Sequence, residues 1–154
     1  MLNRWVEEPD PHDPAGASVL DVAGAEGLGV VAFSPLAQGM LTDRYLHGVP
    51  DDSRAARGGP LRPAFLSEAN LDHVRRLDDL ARAHGRSLAT TAILWAMRDE
   101  RVTSVLLGAS STRQLDENLA ALDAPPLSAE ELAAVDALPA DTGINIWASR
   151  SSDL

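Results

Sequence analysis

One stretch decides the fold: Val102-Thr103-Ser104-Val105-Leu106-Leu107-Gly108-Ala109-Ser110-Ser111-Thr112-Arg113-Gln114-Leu115. An apolar run of strand length ends in small polar residues, and an amphipathic helix pattern follows. The pattern predicts a strand over Val102–Leu107 and a helix over Thr112–Leu122, with Ser111 and Gln114 as a capping box. A loop that delivers glycine and serine to a helix N-terminus can bind an anion, because backbone N–H groups converge there and the helix dipole adds positive charge. A plain capped helix after a strand is the alternative.

A second segment, Gly29 to Gly39, repeats the pattern of an apolar run followed by small residues. Val30–Ser34 predicts another strand, and a continuous apolar run of this length is typical of parallel strands that are buried on both faces. The following Pro35-Leu36-Ala37-Gln38-Gly39 is interpreted either as a simple turn or as a binding loop at the carboxyl end of that strand.

The remaining periodic segments predict helices with recognisable caps. Val19, Val22 and Ala23 share one face of the first helix, and Leu71, Val74, Leu77, Leu80 and Ala81 form the stripe of the second. The spans are 18–26, 67 to 85, 87–97 and 128 to about 138, and a loop is expected between Gln38 and Pro63. Strand and helix alternation predicts an α/β fold with a parallel sheet. Only two strands are evident, so both edges of that sheet would be open.

Composition narrows the functional classes. The chain has 154 residues, no cysteine and a formal net charge of −10. That charge argues against binding to nucleic acid or to an anionic membrane. Absence of cysteine, of a signal-peptide pattern and of a long apolar run favours the cytoplasm. The four histidines, His12, His47, His73 and His84, show no metal-ligand spacing and are interpreted as structural or solvated, so no metal site is expected.

The two strand–loop segments together resemble the aldo-keto reductase family. The resemblance is to the bacterial branch that reduces glyceraldehyde 3-phosphate and to the potassium-channel beta subunits. It implies the C-terminal portion of a (β/α)8 TIM barrel, with only the last strands and helices present. Such a barrel needs about 250 residues, so residues 1–154 would form an incomplete barrel. Within it we expect a loop at 1–17, strand and helix units at 18–138 and a tail at 139–154.

The resemblance also implies an NADP site. In the family pattern the run that binds the pyrophosphate corresponds to Phe33, Ser34, Pro35, Leu36, Ala37 and Gln38. Gly108 and Ser110 correspond to residues at the adenosine 2′-phosphate, Gln114 to one at the same phosphoribose, and Glu117 and Asn118 to those at the adenine edge. Arg44 corresponds to the lysine of the family's lysine-tyrosine step, and Arg54 to a residue of a segment that folds over the cofactor. A solvated loop is the alternative for these arginines, and Arg113 is interpreted as solvated.

The family's chemistry is hydride transfer from NADPH to a carbonyl, with a proton from a tyrosine assisted by a lysine, an aspartate and a histidine. This chain has no lysine, and Tyr45, its one tyrosine, lies in the loop region. No catalytic residue is therefore expected here. We predict a fragment of an NADPH-dependent reductase of small aldehydes and ketones that is inactive and poorly stable alone. It would need a complementing N-terminal half or a homo-oligomer. The alternative is a non-catalytic module that binds a nucleotide or a partner, as a potassium-channel beta subunit does.

Overall fold

A computed structural model describes residues 1–50, 61–138 and 142–144. The strands and α-helices of these residues follow one another in the order α1 (Val19–Ala25), β1 (Val30–Phe33), α2 (Glu68–Ala83), α3 (Leu88–Ala96), β2 (Val102–Leu106), α4 (Thr112–Leu119) and α5 (Ala129–Asp136). The two strands pair in parallel, with α2 and α3 in the crossover between them. The predicted α/β class is confirmed, and the sheet of the described residues is unclosed.

The helices begin where their capping residues predict. Ser18 and Asp21 form a capping box at the start of α1, and Ser128 and Glu131 form another at the start of α5. Side-chain oxygens of Ser67 and Ser87 accept from the third amide of α2 and of α3. Each such cap stabilises its helix by about 1 kcal/mol. None of the helices that the structure describes is long and apolar enough to cross a membrane.

The main core lies between α2, α3, α5 and the irregular segment after β1. Leu71, Val74 and Leu77 of α2 are buried as the stripe predicts, and they meet Leu88 and Trp95 of α3. This packing fixes the crossover helices, and therefore the two strands that they connect.

The predicted loop at Gln38–Pro63 contributes more to the core than its sequence indicates. Short 3-10 turns at Ala37–Gly39 and Asp43–Tyr45 fold its first part, and Met40, Leu41 and Tyr45 are buried there. Leu61, at the other end, is also buried. These apolar side chains follow no helical or strand period because an irregular backbone presents them to the core.

The expectation of strands buried on both faces is wrong for the described residues. Val31, Phe33 and Leu106 are 59%, 50% and 66% exposed. The register pairs Phe33 with Leu106, so the two side chains lie on the same face. At least half of each of these side chains is therefore open to solvent.

Two helices also leave apolar stripes exposed. The predicted shared face of α1 points Val19 and Val22 to solvent, and Leu20 is the buried side chain of this helix. On α4 and the 3-10 turn Ala120–Asp123 that continues it, Leu115, Leu119 and Leu122 are exposed. The α-helix thus ends at Leu119, before the predicted Leu122, and the turn completes the segment.

Candidate functional site

The carboxyl ends of β1 and β2 lie side by side. Parallel pairing continues to Phe33 and Leu106, the last residue of each strand. The loop at 34–39 and the loop at 107–111 therefore begin at the same edge of the sheet. In α/β folds this is the edge where ligands bind.

The loop after β1 has an unusual backbone. Ser34, Ala37 and Gln38 have φ angles of +52°, +47° and +60°. Positive φ is uncommon for residues other than glycine and costs on the order of 1–3 kcal/mol. Backbone hydrogen bonds hold the turn: the N–H groups of Gly39 and Leu41 both donate to the Leu36 carbonyl, at 2.8 and 3.2 Å. Ala37 N–H donates to the Ser34 carbonyl at 2.8 Å, and Met40 N–H donates to the Ala37 carbonyl at 3.2 Å. Strain held in this way is typical of a binding loop.

The side chains of this loop divide between surface and interior. Leu36 and Ala37 pack against the main core, which anchors the loop from below. Phe33, Ser34, Pro35, Ala37 and Gln38 line an apolar cavity of about 280 Å³. All predicted residues of the first segment except Leu36 therefore border one cavity.

The loop after β2 leads into the N-terminus of α4. Ser111 caps the helix, because its Oγ accepts from the Gln114 N–H at 3.2 Å. Of the two hydrogen bonds in the predicted capping box, only this one forms. Gln114 Oε1 instead accepts from both the N–H and the Oγ–H of Ser110, each at 2.8 Å. Two donors of Ser110 thus converge on a single oxygen in front of the helix.

Gly108 leaves the main chain of this loop open. A Cβ added there would meet no atom within 4 Å. The amides of Thr112 and Arg113 lie in the first turn of α4, where helix geometry supplies no intrahelical acceptor. The loop therefore offers backbone donors together with the Ser110 hydroxyl.

The two predicted adenine residues on α4 differ in exposure. Glu117 is exposed and pairs with Arg113, with 3.5 Å between the guanidinium nitrogen and the carboxylate oxygen. Asn118 is buried. Arg113 is confirmed as solvent-exposed, although it is paired.

Of the two arginines predicted to bind the cofactor, the structure describes Arg44. Arg44 is exposed on the turn Asp43–Tyr45, whose N-cap is Thr42. Arg54 lies outside the described residues. Tyr45 is only 1% exposed and packs in the main core, so its hydroxyl does not line the cavity.

The strongest shifts in carboxyl pKa lie at the other end of the sheet. Hydrogen bonds from Ser18 and then from Arg101 hold the pKa of Asp21 at about 2, and hydrogen bonding to Arg101 holds the pKa of Asp99 at about 2. Arg101 immediately precedes β2 and accepts from the Val30 N–H through its carbonyl. This network is structural and ties α1 to the amino ends of both strands.

One histidine, His73, is structural rather than solvated. His73 is buried, and its Nε2 is a buried atom with no hydrogen-bond partner. Burial, followed by the charges of Arg76, the chain's amino group and Arg4, lowers its pKa. Residues 1–50, 61–138 and 142–144 contain no cluster of three groups that could ligate a metal.

Two features of the site carry no signal in the sequence. Alanine and glutamine are not residues of left-handed turns, so the backbone at Ala37 and Gln38 was not foreseen. The stacking of Trp95 against two guanidinium groups at the cavity was also missed. Arg98 lies 3.5 Å from the centre of the Trp95 ring system and Arg4 lies 5.0 Å from it.

Comparison with known proteins identifies the same family from most of the chain. The profile of the Aldo/keto reductase family matches residues 13–140. The chain is 45% identical over 155 aligned positions to the L-glyceraldehyde 3-phosphate reductase of Escherichia coli O157:H7, and 44% identical to that of strain K12. Over 139 positions it is 40% identical to a probable voltage-gated potassium channel subunit beta of Oryza sativa subsp. japonica.

The matches cover most of this chain and less than half of each relative. For both reductases 98% of the chain is covered, and for the channel subunit 86%. In all three cases the matched part is 42% of the relative. With the matched profile, these similarities show that the chain belongs to the aldo/keto reductase family.

Proposed function

We propose that this chain supplies the pyrophosphate, 2′-phosphate and adenine part of an NADPH site. The observation that carries the proposal is the parallel pairing of Phe33 with Leu106, since it brings both predicted loops to one edge of the sheet. With the rest of a (β/α)8 barrel the site would serve the reduction of small aldehydes and ketones to alcohols. Similarity to reductases of L-glyceraldehyde 3-phosphate favours phosphorylated aldehydes. The cytoplasm remains our expected location.

The residues present fit the phosphate-bearing end of a nicotinamide dinucleotide. The open main chain at Gly108 would let a ligand approach the backbone. The N–H and O–H of Ser110 already converge on the amide oxygen of Gln114, and a phosphate oxygen could replace it as their acceptor. Since the whole chain carries a net charge of −10, an anion must be held by such local donors.

The loop after β1 would hold the pyrophosphate. Its left-handed residues are fixed by packing of Leu36 against the core, so the loop would be shaped before the ligand arrives. A loop that needs no reordering loses less entropy on binding. Arg44 and Arg54, which correspond to cofactor-binding positions in the family, would add positive charge to the site.

Bound NADPH would supply the hydride for carbonyl reduction. The described residues offer no tyrosine to protonate the product, because Tyr45 is buried in the core. The whole sequence lacks the lysine that lowers the pKa of such a tyrosine in the family. The proton donor would therefore come from outside this chain, and the chain alone would be inactive.

A fluorescence titration of the purified chain with NADPH and with NADH tests the proposal. We expect saturable binding of NADPH. Ser110→Ala should weaken it by about tenfold, as expected for loss of one hydrogen bond to a charged group, and should leave NADH binding unchanged. Ser104→Ala, an exposed serine of β2 outside the predicted site, is the matched control. Absence of saturable binding, or an equal effect of Ser110→Ala on both nucleotides, would contradict the site.

A non-catalytic module is the second candidate. It is favoured by 40% identity to a probable potassium channel subunit beta and by the absence of lysine. Measuring NADPH oxidation with methylglyoxal separates the two. Turnover that appears only when an N-terminal half is added supports the reductase, whereas nucleotide binding without turnover under that condition supports the module. Turnover by the chain alone would overturn the claim that it lacks the catalytic groups.

A further inference from the structure

The side chain of Gln114 lies over the loop that precedes α4. Its Oε1 accepts from both the N–H and the Oγ–H of Ser110, each at 2.8 Å. A backbone N–H can only donate, so the atom that faces it must be the amide oxygen of Gln114 and not the amide nitrogen. The structure therefore places a neutral acceptor at the point where both donors of Ser110 meet. Ser110 itself is exposed, so a ligand can approach these donors from solvent.

This contact differs from the usual arrangement at a helix start. In a full capping box the side chain at the third helical position, here Gln114, reaches back to the N–H of the capping residue, here Ser111. The Gln114 side chain instead contacts Ser110, one residue further back. Ser111 Oγ still accepts from the backbone N–H of Gln114 at 3.2 Å, so the cap does not depend on the glutamine side chain. Gln114 can therefore leave Ser110 without uncapping α4.

The chemistry of a competing acceptor decides whether it displaces Gln114. A phosphate oxygen is charged, and hydrogen bonds to a charged acceptor are roughly twice as strong as neutral ones. A ribose hydroxyl is neutral and offers the Ser110 donors no more than the amide oxygen already does. The amides of Thr112 and Arg113 in the first turn of α4 add donors and partial positive charge, which favour an anion further. A phosphate group should therefore displace Gln114, whereas a hydroxyl group should leave it in place.

We propose that the side chain of Gln114 is an internal competitor of the 2′-phosphate and thereby limits how strongly this site prefers a phosphorylated ribose. The inference rests on the proposed function, because it takes Ser110 to lie at the phosphoribose of the cofactor. It adds that a phosphate must break both hydrogen bonds between Gln114 and Ser110 before it binds. Removal of the glutamine side chain should then strengthen phosphate binding, whereas removal of a simple ligand contact would weaken it.

Calorimetric titration with adenosine 2′,5′-bisphosphate and with adenosine 5′-monophosphate tests the proposal, since the two ligands differ by the 2′-phosphate. We expect Gln114→Ala to tighten binding of the bisphosphate by about threefold to tenfold, the effect of removing a competing neutral hydrogen bond or two, and to leave the monophosphate unchanged. Gln114→Met keeps the length of the side chain but lacks the amide oxygen, and it should act in the same direction. Leu115→Ala, a neutral substitution at the next position of α4, is the matched control and should change neither affinity.

The amide resonance of Ser110 in a proton–nitrogen correlation spectrum gives a readout that needs no nucleotide. Before any ligand is added, Gln114→Ala should move this resonance upfield, because the N–H loses its acceptor. Inorganic phosphate should then shift the resonance at a lower concentration in Gln114→Ala than in the unsubstituted chain. Circular dichroism checks that each variant keeps its helices.

Two results would overturn the proposal: a weaker or equal affinity of Gln114→Ala for the bisphosphate when the unsubstituted chain binds it, or a Ser110 resonance that is identical in both chains. Either result leaves the proposed function standing. If none of these chains binds either nucleotide, the proposed function is contradicted. In that case a phosphate shift at lower concentration in Gln114→Ala would still support the competitor, and its absence would contradict both proposals.

Discussion

Arg86 and Glu131 form an ion pair that is almost completely enclosed, with 2.8 Å between Nε and Oε1 and side-chain exposures of 12% and 6%. Arg86 also donates to the carbonyls of Pro125 and Pro126, and Ser128 N–H donates to the other oxygen of Glu131. Burial acts to raise the pKa of Glu131, but the hydrogen bonds from Ser128 and Arg86 outweigh it and lower that pKa below its ordinary value. The pair ties the connection between α2 and α3 to the start of α5.

Removing one partner of this pair should destabilise the folded chain. Arg86→Met leaves the Glu131 carboxylate buried without its cation, so we expect a loss of about 3 kcal/mol in the free energy of unfolding. The shift in the urea midpoint measures it. Arg113→Met, which removes an exposed ion pair on α4, is the control and should change the midpoint little. Equal effects of the two substitutions would show that the buried pair adds no stability.

In the strained loop after β1, by contrast, one substitution should raise the free energy of unfolding. Ala37→Gly should stabilise the chain by about 1 kcal/mol, because glycine adopts a φ of +47° without the steric cost that alanine has. Ala124→Gly is the matched control, since Ala124 has a φ of −79° and glycine there should destabilise. Urea unfolding of both variants measures these changes in stability. If Ala37→Gly destabilises as much as the control, the left-handed backbone at Ala37 is wrong.

Buried His73 predicts that stability falls in acid. Burial, then Arg76, the chain's amino group and Arg4, lower its pKa, while the unfolded chain binds a proton near the ordinary value of about 6.5. Below that pH the unfolded state holds more protons, so stability decreases as pH falls. His73→Leu should reduce the change in urea midpoint between pH 8 and pH 5. His84→Gln, a substitution on the surface, should not reduce that change. An unchanged pH profile in His73→Leu would contradict the burial of His73.

The uncovered sheet face should make the isolated chain bind apolar dyes. We expect strong fluorescence with 8-anilinonaphthalene-1-sulfonate and a broad urea transition, because Val31 and Leu106 are more than half exposed. Val31→Thr with Leu106→Thr should reduce dye binding, and threonine at both positions is β-branched and therefore suits a strand. Val49→Thr, an exposed valine away from the sheet, is the control. A sharp transition without dye binding would contradict an uncovered face.

Local chemistry made most secondary structure predictable. Capping serines fix the starts of four helices that the sequence placed, at Ser18, Ser67, Ser87 and Ser128. The apolar stripe of α2 predicted its buried side chains, because 3.6-residue periodicity translates directly into one helix face. The segment between Gln38 and Pro63 was less predictable, since Met40, Tyr45 and Leu61 reach the core from turns without a period.

The candidate site was predictable in position but not in detail. Glycine, serine and proline after each apolar run mark where the loops begin, and family resemblance supplies their expected roles. The left-handed backbone of Ala37 and Gln38 depends on packing around the loop. The contact of Gln114 with Ser110 in place of a full capping box likewise depends on the geometry of the chain before α4.

The sequence by itself determined the family, the two strands, the helix starts and the absence of a lysine, because each of these depends on residue identity or on local spacing. Only the tertiary structure decided that Phe33 and Leu106, the last residues of their strands, lie side by side, so that the two loops that follow them begin at the same end of the sheet. Only it decided that Val31, Phe33 and Leu106 are at least half exposed, since burial depends on which elements pack against the sheet. Those two facts together make this end of the sheet the candidate site.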